Sequence, residues 1–144
     1  CETVAESLPQ LWPSDAVARA HARALSAEMH SGFTALRTRL PMNIRADLAG
    51  KCIEIDAERD IARIVEAWTE CRSRYGAQGL FLFGTFGVAD AMFAPVCFRF
   101  HIYGVPLPDA AARYRDTMLA LPAMQQWAAD ARVEPWSLPQ FEVG

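Results

Sequence analysis

The stretch Phe81 to Tyr103, FLFGTFGVADAMFAPVCFRFHIY, constrains the fold more than any other part of the chain. An apolar run, Leu80 to Phe83, breaks at Gly84 and Gly87. The segment that follows has hardly a charge: Val88, Ala89, Ala91, Met92, Phe93, Ala94, Val96, Cys97 and Phe98. A helix apolar on nearly every side is stable only with other helices packed around it, so this one predicts a buried central helix. Asp90 is the exception. With Gly87 as N-cap, Asp90 is the third helical residue, and its carboxylate accepts from the open N–H at the cap while complementing the helix dipole. Phe86, just before the cap, is placed to fold over the first turn. A structural cap accounts for Asp90 without any catalytic role. Gly caps almost as well as Ser but offers no side-chain acceptor, so Gly87→Ser is expected to be neutral or slightly stabilising. Pro95 removes a backbone donor inside the helix and predicts a kink between Ala91 and Pro95.

The flanking sequence is helical as well. Pro9 and Pro13 exclude a continuous helix across Ser7 to Pro13, which reads as a linker. Ser14 or Asp15 then caps a long helix from Ala16 to about Leu40, ended by Pro41. Its small residues, Ala18, Ala20, Ala22, Ala24 and Ala27, suggest close approach to neighbours. Residues 42–55 form a connection. Asp56 caps the next helix, with Glu58 and Asp60 in its first turn and Ile61, Ile64, Val65, Trp68, Cys71 and Tyr75 along one buried face. Asp109 caps a helix of about Ala110 to Leu121. Pro122 interrupts it, and a last short helix turns Met124, Trp127 and Ala128 inward. The tail from Pro135 is extended and placed to fold back. The expected fold is all-α, five or six helices around the one bearing Phe93.

With 144 residues, 52% hydrophobic and 22% charged, the chain suits one folded domain with a sizeable core. A net charge of −3 gives no basic field for nucleic acid, and no apolar run reaches the ~20 residues of a membrane span. No signal peptide is legible at the start. The four cysteines form no Cys-x-x-Cys pair, and Cys71 and Cys97 fall in apolar helical patterns, as free thiols in a reducing cytoplasm would. His21, His30 and His101 lack partners at metal-ligand spacing, so no metal site is expected. No nucleophile on the chain has a base at a recognisable spacing, so no catalytic residue is assigned. What remains is a surface. Ser26, Met29, His30, Phe33 and Arg37 recur at steps of three and four on the long helix, with Met42 and Asn43 just beyond it. Such a face can wall a pocket for an electrophile, and Arg37 can hold a carboxylate. The same spacing also fits a plain core, with Arg37 in a surface ion pair.

Two stretches resemble the glutathione transferases. The turn into the buried helix, with the run Ala89 to Val96 (ADAMFAPV), is similar to the bacterial members, although the cap there is usually Ser or Thr. Ser26 to Asn43, SAEMHSGFTALRTRLPMN, is similar to a second helix of the same proteins, and CETVAESLPQLWP resembles the passage into their helical domain. The resemblance covers nearly the whole chain but only the family's C-terminal half. It implies that residues 1–13 close a preceding domain and link it to a helical domain at 14–144. It implies a thioredoxin-like domain, absent here, that carries the glutathione site and a Ser, Cys or Tyr catalytic residue. It also implies glutathione as co-substrate of the complete enzyme, a small hydrophobic electrophile as second substrate, and a cytoplasmic homodimer serving detoxification. By itself this chain is expected to bind no cofactor and to be inactive. The alternative is a transferase-like module that has lost catalysis and binds protein partners.

Overall fold

The computed structural model describes residues 2–50 and 57–139, and among these the fold is all-α. Helix α1 (Glu2–Ser7) leads through a 3₁₀ turn at Pro9–Leu11 to α2 (Ala16–Ser31) and α3 (Thr34–Arg39). Then come α4 (Glu58–Tyr75), α5 (Val88–Ile102), α6 (Asp109–Leu119) and α7 (Pro122–Val133). Two isolated bridges, Phe81 with Gly84 and Phe83 with Thr85, tighten the turn before α5. The chain divides into two compact units, Cys1–Gly32 with Glu66–Phe93 and Phe33–Val65 with Ala94–Gly144. Helices α4 and α5 each give residues to both.

In the first unit the entry to α5 is built as its sequence demands. Asp90 is fully buried. One carboxylate oxygen accepts from the Gly87 N–H at 2.9 Å, closing the cap, and the other accepts from the Leu82 N–H at 3.0 Å. The second bond ties the turn to the helix it precedes. Gly87 itself has a reason that spacing does not reveal: a Cβ there would lie 2.7 Å from the Leu11 carbonyl oxygen. The expectation for Gly87→Ser is therefore reversed, because a side chain at 87 must displace backbone. Phe86 sets its ring edge-to-face on Phe81, with centroids 5.4 Å apart.

Other local signals hold in part. Asp15 caps α2 by accepting from the Ala18 N–H at 2.8 Å. Ala18 and Ala22 are buried, whereas Ala20, Ala24 and Ala27 are exposed, because one helix face carries only every third or fourth residue inward. Arg72 spans the turn after α4, its Nη1 donating to the carbonyls of Gly79 and Phe81 at 2.7 Å each. His21, Tyr75 and Phe83 form an aromatic cluster, with the latter two rings stacked at 5.0 Å. Helix α5 runs unbroken through Pro95. Cys71 and Cys97 are buried free thiols.

The second unit departs further from expectation. The long helix expected from Ala16 to Leu40 is two helices. The Gly32 N–H closes α2 on the Glu28 carbonyl at 2.8 Å, and Phe33 then takes left-handed backbone angles, φ 58 and ψ 41. No side chain at Phe33 can cap α3, and the Asp60 carboxylate from α4 does so instead, accepting from the Leu36 N–H at 2.9 Å. Asp56 lies outside the described residues. Helix α6 begins at Asp109 itself, with Pro108 in the cap position, so Asp109 is its first residue and not its cap. Pro122 opens α7, where a missing N–H costs nothing. Met124 and Ala128 face the core, but Trp127 is 39% exposed, its ring in a T-shaped contact with Phe98. No helix among the described residues is long and apolar enough to cross a membrane.

Candidate functional site

The wall expected from Ser26, Met29, His30, Phe33 and Arg37 rests on one continuous helix, and the break at Gly32 and Phe33 removes that premise. Ser26 and Met29 are core residues of the first unit, Ser26 donating its hydroxyl to the Ala22 carbonyl at 2.8 Å and Met29 being 4% exposed. His30 is exposed. Phe33, in the second unit, is 7% exposed, while Arg37 on α3 reaches solvent. Helical spacing therefore does not place these five on one face. Gly32 was the sequence signal for the break.

Met42 and Asn43 do come together. With Ile44, Arg45, Trp127 and Trp136 they line a cavity of about 210 Å³ in the second unit. The loop that carries them is held by hydrogen bonds with the end of α5 and the residue after it. Arg99 Nε donates to the Leu40 carbonyl at 2.9 Å, the Tyr103 hydroxyl to the Pro41 carbonyl at 2.9 Å, and the Leu48 N–H to the Ile102 carbonyl at 2.8 Å. Asn43 shapes the loop from within, its side-chain oxygen accepting from the Arg45 N–H at 3.2 Å. Met42 thus leaves a fixed turn and not a loose end.

The loop also has an electrostatic character. Burial, and then the charge of Arg37, push the Arg99 guanidinium below its ordinary pKa, with Tyr103 acting the other way. Two guanidinium groups that feel each other repel, and an anion placed near both relieves that repulsion. Arg37 was visible in the sequence. Arg99, Tyr103 and Arg45 were not singled out, although Arg99 is the one Arg or Lys inside the apolar stretch.

A second cavity of this unit, about 330 Å³, is walled by apolar groups including Leu40, Ile61, Val65, Tyr103 and Val105, with Arg39 and Glu58 among its lining. Among the described residues no group of three His, Cys, Asp or Glu side chains gathers to hold a metal.

The model of the glutathione S-transferase C-terminal domain matches residues 15–130. The chain belongs to that family. It is also similar in structure to a glutathione transferase homologue from Burkholderia gl BGR1, solved with bound glutathione, at 26% identity and a TM-score of 0.57. That alignment covers 86% of this chain and 57% of the homologue, so the chain spans well under two thirds of its relative's length. No curated protein matches the sequence. Within the glutathione S-transferase family, the match at 15–130 takes in α2 to α6 and most of α7.

Proposed function

We propose that this chain is the helical, substrate-binding half of a glutathione transferase. In that reading residues 14–144 form the helical domain and residues 1–13 lead into it from a thioredoxin-like domain that carries the glutathione site. The complete enzyme adds the glutathione thiolate to a hydrophobic electrophile, or uses it to reduce a peroxide, as a cytoplasmic homodimer. The observation that carries this is the loop holding Met42 and Asn43. It lines a cavity beside two tryptophans, and its backbone carbonyls are fixed by Arg99 and Tyr103. A rigid loop is what a second-substrate wall needs, because a wall that shifts cannot hold an electrophilic carbon against a thiolate. The charge of Arg37, felt by Arg99, favours a carboxylate in their neighbourhood, whether on glutathione or on the second substrate. The homologue with bound glutathione supports the same co-substrate.

The test is conjugation of glutathione to 1-chloro-2,4-dinitrobenzene, and reduction of cumene hydroperoxide, by the full-length gene product. Turnover of either supports the reading. Folded protein that turns over neither, and that shows no heat of binding with glutathione, overturns it in favour of a non-catalytic interaction module. The 144-residue chain alone is expected to give no micromolar glutathione binding by calorimetry.

A further inference from the structure

Helix α5 ends on a histidine that its own backbone does not need. The last four carbonyls of α5 are all taken. Arg99 accepts from the Tyr103 N–H at 3.1 Å, Phe100 from Val105 at 3.0 Å, His101 from Gly104 at 3.1 Å and Ile102 from Leu48 at 2.8 Å. No carbonyl at this end waits for a side-chain donor to cap it. The His101 side chain is exposed and makes neither a hydrogen bond nor an ion pair among the described residues. Arg132, in the last turn of α7, is exposed and makes neither as well.

Both side chains line one cavity of the second unit, of about 330 Å³, together with Arg45 from the loop after α3. Arg45 is fixed in place by the carbonyls of Glu134 and Trp136, its Nη1 and Nη2 donating to them at 3.2 Å each. Three basic side chains from three separate elements therefore border one opening, on a chain whose net charge is −3. Asp47 also lines it, with one carboxylate oxygen accepting from the Ala49 N–H at 3.4 Å. Ile44 and Phe98 supply apolar lining.

We propose that this cavity binds a phosphate group, either free or carried on a small ester. Donors that come from three elements suit a tetrahedral oxyanion, whereas a planar carboxylate is served by a single guanidinium fork. His101 offers a ring N–H in either charge state. The cavity is at the small end of ligand-site sizes, so beside the phosphate it has room for about one ring, set against Ile44 and Phe98. Phosphate binding here requires no transferase activity, and the loss of either leaves the other standing.

The test is calorimetric titration of the full-length gene product with phenyl phosphate, inorganic phosphate and benzoate at low ionic strength, where exposed charges are least screened. Wild type binds phenyl phosphate more tightly than benzoate. Arg132→Gln and His101→Ala each weaken phenyl phosphate about fivefold, the scale of an exposed charge pair, with the melting temperature unchanged. Asp47→Asn strengthens it about threefold, because a like charge beside the anion is removed. Arg37→Gln leaves it unchanged, since Arg37 does not line this cavity. Phenyl phosphate bound more tightly than inorganic phosphate marks an ester as the ligand, and equal affinity marks free phosphate. No binding by wild type, benzoate bound as tightly as phenyl phosphate, or an affinity that follows Arg37 and ignores Arg132 and His101 overturns the site.

Discussion

The turn into α5 and the loop after α3 solve the same problem with opposite groups. At the turn, one buried carboxylate gathers backbone donors. Asp90 takes the N–H groups of Gly87 and Leu82, three and eight residues away. At the loop, side-chain donors gather backbone carbonyls from much farther along the chain. Arg99 reaches Leu40 across 59 residues and Tyr103 reaches Pro41 across 62. Local bonds form as the helix forms, so the turn belongs to the foundation of its unit. Distant bonds exist only once the fold is complete, and the pocket hangs on them.

If that contrast is right, the largest effect should come at the turn. Asp90→Ala leaves two backbone donors without their acceptor, one of them buried, and should cost about 3–5 kcal/mol in denaturant unfolding. Activity per folded molecule should stay near wild type. A stable Asp90→Ala protein that has lost turnover would make Asp90 catalytic and break the comparison. Gly87→Ser comes next. Its new Cβ meets the Leu11 carbonyl oxygen at 2.7 Å, and relieving that overlap should cost roughly 1–3 kcal/mol. A neutral Gly87→Ser would show that Leu11 yields freely.

Legibility in the sequence follows the same divide. Asp90 lies three residues from its cap, so periodicity and capping rules find it, and they also find the all-helical pattern and the Asp15 cap. They misjudge Gly87, because the Leu11 carbonyl that excludes a side chain is 76 residues upstream of it in the chain numbering. They also run α2 into α3, treating Gly32 as one weak helical residue among many strong ones. Of the expected wall, Met42 and Asn43 are where a pocket is, while Ser26, Met29 and Phe33 serve the core. Met and Phe at helical spacing carry no mark that separates the two roles. Arg99, Tyr103 and Arg45 escape notice because their partners are carbonyls, which every residue has.

A smaller effect sharpens the loop side of the comparison. Tyr103→Phe keeps the buried ring and removes only the hydroxyl that holds the Pro41 carbonyl. It should cost about 1–2 kcal/mol and raise KM for the electrophile more than it lowers kcat, because the loop is loosened and not rebuilt. An unchanged KM with full loss of stability would make Tyr103 a core residue alone.

Arg37 should matter least to stability and most to selectivity. It is exposed, and its charge is felt by Arg99 at the loop. The deciding measurement is the ratio of kcat/KM for an anionic electrophile to that for a neutral one of the same shape, in wild type and in Arg37→Gln of the full-length gene product. The ratio should fall about tenfold while the melting temperature is unchanged, with Arg37→Lys restoring only part of it. A ratio that stays at the wild-type value would show that no substrate anion meets Arg37, and would contradict the assignment of this loop as the substrate wall.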